Sequence, residues 1–321
     1  MNINKNTKGL VEAAVLTAVI CVLAIAGMYI PLLGMVLFIV PTPLIILGKK
    51  YGVKYSFLSL VASSLVIMSF SSPAIALFVV AFPGVMAVVI GIFMHKKRKH
   101  AVVIAAGTIT SIIATVLSIS LATQLMGISF VENIQEMLKQ SADIQEYMFS
   151  LTNADKETIE KSNKMMNEMQ ELVLFMIPSA IIVSAFISSV INYFLSLSIL
   201  RRTGYSIEPV TPFKYFRLSR NTMNGLLVIM VLSLIVVQLN IVDQDTLMAN
   251  LFFLYQLVFI IQGLAVLVYY LSYYKINKIF MVLIGVFLAM SRVGMNLLFV
   301  VGIIDMFLDL RKYKSENESN Y

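Results

Sequence analysis

The sequence predicts an all-α, polytopic integral membrane protein, a helical bundle of about nine spans. Three observations predict it. Of 321 residues, 59% are hydrophobic and 13% charged, and a mean hydropathy of +0.89 leaves too little polar surface to clothe a soluble domain of this size. The apolar residues gather into nine runs, most of them close to the roughly 20 residues that a spanning helix needs. Lysine and arginine cluster between the runs, in alternate connections, as the preference for positive cytoplasmic loops dictates.

The nine runs cover 10–30, 35–47, 55–70, 73–94, 101–126, 172–200, 223–241, 247–274 and 279–304. The first follows Lys5 and Lys8 and contains "AIAG" (24–27), a small-residue pattern of the kind signal peptidases cut. Further spans follow at once, so this helix is expected to stay in the chain. The second and third runs are short enough to be tilted or partly re-entrant helices. Bases lie between runs two and three (Lys49, Lys50, Lys54), four and five ("HKKRKH", 95–100), six and seven (Arg201, Arg202, Lys214, Arg217, Arg220) and eight and nine (Lys275, Lys278). The amino terminus is therefore expected on the cytoplasmic side, and by parity the carboxyl end on the other.

The one large connection on the opposite side, 129–171, holds nine acids against four lysines, a net charge of −5. Phe130, Ile134, Met137 and Leu138, then Ile159, Met166, Met169 and Val173, recur at helical spacing, with "TNAD" (152–155) supplying turn and cap residues between them. This predicts an extracytoplasmic amphipathic helical hairpin, either a solvated lid or a docking element. In the basic loop, Phe213, Tyr215 and Phe216 interleave with Lys214 and Arg217. For a loop tied to the bilayer at both ends this composition suits the headgroup region and not a nucleic acid.

Several function classes find no support. Cys21 is the one cysteine and His95 and His100 are the two histidines, so neither a disulfide nor a familiar zinc spacing can be assembled. There is no G-x-x-x-x-G-K-[ST] phosphate loop, so the chain carries no P-loop ATPase of its own. Glu12 and Arg292 are the ionised residues within the nine runs, too few to converge on a general acid and base. No catalytic residue, metal ligand or cofactor is expected.

Polar residues inside the spans mark candidate binding sites. Run five carries Thr108, Ser111, Thr115 and Ser118 on one helical face, and run six carries Ser184, Ser188, Asn192 and Ser196 at steps of four. Two such faces either line a pocket or pack closely with hydroxyls bonded to their own carbonyls. Asn192, with Ser188 beside it, is the ligand candidate of the first half, because a deep amide needs partners. Arg292 falls at the midpoint of the ninth run, about 39 Å of helix if continuous. Gly285, Ala289, Arg292 and Asn296 would then share one stripe turned into the bundle. Arg292 and Asn296 read either as a lock against the amides of Gln256 and Gln262, or as a site for an anion.

The first hundred residues resemble the substrate-binding (S) subunits of energy-coupling-factor vitamin transporters. The stretches that carry this are "EAAVLTAVI" (12–20), "IPLLGMVLFIVPTPLIILGKKYG" (30–52), the serine-containing third run and "FPGVMAVVIGIFMHKKRK" (82–99). The resemblance implies a six-helix core with both ends cytoplasmic and a pocket that opens outward. It also implies that Ala14 and Ala18, an A-x-x-x-A pair, meet a membrane-embedded scaffold subunit of an ATPase complex. Small residues four apart do let another helix approach closely. The whole chain is similar to the uncharacterised YybS-like bacterial membrane proteins, through "PFKYFRLS" (212–219) and "GIIDMFLDLRK" (302–312); Phe216 stands where tryptophan is common in that family. This second resemblance implies a multi-pass protein of the bacterial cytoplasmic membrane and no particular activity.

The expected organisation follows. Residues 1–205 form an S-subunit-like core carrying the hairpin, and 206–222 form a basic cytoplasmic loop. Residues 223–304 add three helices, and 305–321 form a polar tail. The expected function is non-catalytic recognition of a small molecule or lipid within the bilayer, with any transport energised by a partner. An envelope scaffold that engages other membrane proteins is the alternative.

Overall fold

The structure, a computed structural model, describes residues 5–127, 129–152, 155–239, 243–308 and 310–311. Among them every regular element is helical. Eight helices are long and apolar enough to cross a membrane, and nine spans result if one sharply bent pair counts as a span. The all-α polytopic class read from the sequence therefore holds. The chain divides into two compact units, Met1–Glu208 and Pro209–Tyr321.

In the first unit α1 (Lys5–Tyr29) is followed by a nine-residue 3-10 stretch, Pro31–Ile39, and by α2 (Thr42–Tyr51). The short second run is thus the middle of a longer segment. Pro41 and Pro43 lack the N–H that a continuous helix needs there, so the tight coil and the α-helix meet at a break. Gly52, at φ +87°, makes the sharp turn into α3 (Val53–Phe70). The fourth run opens with α4 (Pro73–Ala76), widens into a π turn over Leu77–Ala81 and continues as α5 (Phe82–His95). The widened turn lies directly ahead of Pro83, which has no N–H to give to the preceding turn. Then come α6 (His100–Met126), the hairpin of α7 (Phe130–Thr152) and α8 (Lys156–Phe175), and α9 (Ile177–Arg202). Pro178 sits in the first turn of α9, where proline is tolerated, so the sixth span starts at 177 and not at 172.

The helix α2 is the centre of this unit, buried from Thr42 to Gly48. A Cβ on Gly48 would lie 2.8 Å from the Cα of Gly91, so the backbones of α2 and α5 touch there. Ser56 on α3 donates to the Leu44 carbonyl at 2.8 Å, and Ser189 on α9 donates to the Ile104 carbonyl of α6 at 3.1 Å. Val11, Val22, Phe57 and Ile109 remain exposed, as lipid-facing positions should.

The hairpin closes along a thin seam. Ile134 and Leu138 on α7 and Ile159 and Met166 on α8 are half-buried, whereas Phe130, Met137, Met169 and Val173 are exposed. Gln145 donates across the seam to the Ser162 hydroxyl. Asp155 caps α8, accepting from the Thr158 hydroxyl at 2.6 Å and from its N–H at 3.3 Å. Those bonds, the hydroxyl's foremost, hold the Asp155 carboxyl below its ordinary range. The cap is therefore intact at neutral pH and is lost as pH falls through that lowered value. Asn153 and Ala154 of the expected turn lie outside the described residues.

The second unit contains a 3-10 turn at Phe213–Tyr215, then α10 (Arg220–Gln238), α11 (Gln244–Tyr273), α12 (Lys278–Met290) and α13 (Arg292–Leu308). Side chains of Ser219, Asp243 and Asn277 cap α10, α11 and α12. The ninth run is not one straight helix: α12 and α13 meet at 103°. Ser291 is extended at the junction, and its hydroxyl accepts from the Gly294 N–H at 3.0 Å, starting a new helix. A Cβ on Gly294 would lie 2.3 Å from the Leu288 carbonyl oxygen, so the bend needs glycine. The helix α13 also runs past 304 to Leu308, which takes Asp305 out of the expected polar tail.

Candidate functional site

The deep amide of the first unit finds its partners within the protein. The Asn192 side chain is fully buried. Its Oδ1 accepts from the Thr42 hydroxyl at 2.8 Å, and its Nδ2 donates to the Phe38 carbonyl at 2.8 Å and the Ser188 carbonyl at 2.9 Å. Both amide hydrogens are used, so Asn192 ties α9 to α2 and has no free donor to offer a ligand. Ser188 contributes its carbonyl to the same knot. The hydroxyl faces divide as membrane hydroxyls often do. Thr108, Ser118 and Ser184 bond to carbonyls of their own helices, at 2.9, 2.7 and 3.0 Å.

Open space lies farther along the same helices. A cavity of about 270 Å³ sits where α6, the start of α7 and α9 come together, lined by Val116, Ile119, Phe130, Ile181, Thr123 and Ser129 among others. Its wall is chiefly apolar with two hydroxyls, which suits an amphiphile more than an ion. Ala14 and Ala18 are exposed on α1 beside Val15 and Val22, and so make a smooth stripe on the outside of the unit.

In the second unit the structure moves the buried charge. Arg292 is the first residue of α13, and both it and Asn296 are exposed. The expected inward stripe does not form, because the break at Ser291 turns Arg292 and Asn296 away from the register of Gly285 and Ala289. The inward face of α13 is instead Gly294, Leu298, Gly302 and Asp305. Gln262 pairs there and not with Arg292.

Asp305 is 0% exposed and Arg311 4% exposed. The guanidinium meets the carboxylate through two nitrogens, NH2 to Oδ2 at 2.6 Å and Nε to Oδ1 at 3.3 Å. Arg311 NH1 donates to the carbonyls of Lys214 at 3.0 Å and Phe216 at 2.7 Å. Gln262 on α11 donates to Asp305 Oδ2 at 3.0 Å and accepts from the Leu218 N–H at 2.9 Å. The two stretches that carry the YybS-like resemblance, 212–219 and 302–312, thus meet around one ion pair. Glycine makes the approach possible. A Cβ on Gly263 would lie 2.0 Å from the Leu298 carbonyl oxygen, and one on Gly302 2.0 Å from that of Phe259. Backbone contact of α11 with α13 brings Gln262 within reach of Asp305. A fully desolvated charge pair with its remaining hydrogen bonds satisfied fixes a conformation, and here it clasps the basic loop. The signal for this site was the pairing of "GIIDMFLDLRK" with "PFKYFRLS", which spacing alone cannot connect.

Among the described residues, no three histidines, cysteines or carboxylates gather as a metal site would require. The chain is similar to "Uncharacterized protein YybS" of Bacillus subtilis (strain 168), with 25% identity over 316 residues, 96% of this chain and 98% of the relative. No solved structure matches it. The family described as "Predicted membrane protein (DUF2232)" matches residues 18–306, from the first span to one residue past Asp305. The chain therefore belongs to that family of multi-pass helical membrane proteins.

Proposed function

We propose that this membrane protein recognises a small amphiphilic molecule or lipid without transforming it, and that any transport draws its energy from a partner. The observation that carries the reading is the cavity of about 270 Å³ at the hairpin end of the first unit, apolar with two hydroxyls. The likeness of the first hundred residues to S subunits supports it, and so does the exposed Ala14–Ala18 stripe, which fits a scaffold helix. One preparation tests both parts. Mass spectrometry of the protein extracted in mild detergent is expected to find a bound small molecule or lipid, absent from Ile181→Trp, which fills the cavity. The same extract is expected to contain a membrane partner that Ala18→Leu releases. If wild type and Ile181→Trp carry the same small molecules, the cavity does not hold them.

A second reading, an envelope scaffold, is favoured by the hairpin. Met137, Ile144, Tyr147 and Leu151 of α7 are all more than 60% exposed, an apolar surface with room for another protein. Under this reading the extract contains protein partners and no small molecule.

The basic connections support a bacterial cytoplasmic-membrane protein with its amino terminus inside and the hairpin outside. In a Cys21→Ala background, cysteines placed at Ser150 and Gln244 are expected to react with an impermeant reagent in intact cells, and one placed at Ser206 is not. Reaction at Ser206 from outside reverses the orientation.

A further inference from the structure

The opposite end of the first unit contains a second cavity, of about 150 Å³, whose wall includes Lys49, Lys97, Arg98, His100, Tyr193 and Glu208. We propose that it is a phosphate site, for the headgroup of an anionic lipid or for a soluble phosphate compound. It is separate from the apolar cavity above and does not depend on it.

An unfilled hydrogen bond points to a missing acceptor. Tyr193 is buried, 1% exposed, and its hydroxyl meets His100 Nδ1. His100 Nε2 is buried and has no partner. A neutral imidazole and a phenol together hold two polar hydrogens, and one contact uses one of them. If Tyr193 donates to Nδ1, the Nε2–H has no acceptor. If Nδ1–H donates to Tyr193, the phenol hydrogen has none. Burying an unanswered donor is costly, and both groups line the same cavity, so an oxygen of a bound ligand completes the set.

The surroundings specify an anion. Lys49 spends one of its donors on the Met94 carbonyl at 2.7 Å and has two more. The connection from α5 to α6 is short, and Lys97 holds a left-handed conformation at φ +52°, which non-glycine residues adopt rarely. That turn carries Lys97 and Arg98 at the cavity wall. The 27-residue helix α6 begins at His100, so its positive end adjoins the same space. Three cations stand against the single carboxylate of Glu208, which is exposed. Several cations with neutral donors suit phosphate, which presents more charge and more acceptors than a carboxylate.

The test uses the full-length protein in a maltoside detergent, which contains no phosphate. Inorganic phosphate and phosphatidylglycerol micelles are titrated separately, with chloride at matched ionic strength as the control. At least one probe is expected to raise the melting temperature beyond chloride. A response to phosphatidylglycerol alone assigns the lipid headgroup, and a response to inorganic phosphate assigns a soluble source. Lys97→Gln with Arg98→Gln is expected to raise the midpoint concentration by about tenfold or more, since each charged hydrogen bond is worth on the order of a decade. Glu208→Gln is expected to lower the midpoint. All three positions are exposed, so folding is spared, and Tyr193→Phe is expected to weaken binding further. The proposal is overturned if neither probe exceeds chloride, if the double variant titrates as wild type, or if Glu208→Gln weakens binding.

Discussion

Asp305→Ala is expected to lower the melting temperature of the detergent-solubilised protein by on the order of 10 °C. The substitution leaves the Arg311 guanidinium buried without its carboxylate, and stranding one partner of a buried pair costs about 3–5 kcal/mol. For chains of this size each kcal/mol moves the midpoint by about 2–4 °C. Arg311→Met should do comparable damage, because it strands Asp305 and also frees the Lys214 and Phe216 carbonyls that Arg311 holds. The double variant Asp305→Leu/Arg311→Met removes both charges, so it should recover part of the loss. A double-mutant cycle in which the two losses simply add would show that the pair is not coupled. Arg292→Leu is the control: Arg292 is exposed, and its loss should stay within about 0.5 kcal/mol of wild type. A large drop at Arg292 together with none at Asp305 would invert the assignment of the buried charge.

Gly302→Ala and Gly263→Ala are expected to be comparably damaging, although each adds a single methyl group. Both new Cβ atoms would sit 2.0 Å from a main-chain carbonyl oxygen of the facing helix. A side chain in the way can rotate, but a carbonyl in a helix cannot, so α11 and α13 must separate. Overpacking of a core costs about 1–3 kcal/mol. Separation also lengthens the Gln262–Asp305 hydrogen bond, 3.0 Å in the structure. The two effects together should exceed either alone, and little correctly assembled protein should be recovered. Gly225→Ala offers the opposite sign. Nothing lies within 4 Å of the added atom, and replacing a helical glycine contributes up to about 1 kcal/mol of helix stability. Equal melting temperatures for Gly225→Ala and Gly302→Ala would remove the argument from close backbone contact.

Much of the fold was legible because span length and charge placement are properties of short stretches. The nine runs, the hairpin composition and the turn and cap residues of "TNAD" (152–155) can all be found with a window narrower than one helix. What window reading misses is whether a run is continuous. Between 279 and 304 only Ser291, Arg292 and Asn296 interrupt the apolar residues, yet the Ser291 hydroxyl and the Gly294 backbone start a second helix there. The assumption of one helix placed Arg292 at mid-span, and depth then demanded a burial that the structure does not show. The charge that is buried was hidden by summation. Counted within a polar tail, Asp305 and Asp309 nearly balance Arg311, Lys312 and Lys314, which conceals the pair of Asp305 with Arg311. Those two are six residues apart, a spacing at which two positions on a continuous helix do not face each other. They meet because the helix ends at Leu308 and Arg311, outside it, reaches the Asp305 carboxylate. At Asn192 the chemistry could be read, since a buried amide demands partners. The identity of those partners, Phe38 and Thr42, could not.

The distance along the chain between those partners has a consequence for how the protein is made. Thr42 and the Phe38 carbonyl are synthesised roughly 150 residues before Asn192. At about 5–20 residues per second that interval lasts on the order of 10–30 s. During it, the segment that becomes the centre of the first unit must wait beside the translocation machinery with those two polar groups unanswered by the helix that will finally hold them. Hydrocarbon is a poor place to wait, because an unsatisfied polar group there costs several kcal/mol. Early spans of this chain therefore depend on water, on the insertion apparatus or on one another for temporary partners. The ribosome must reach α9 before α2 can settle in its final surroundings.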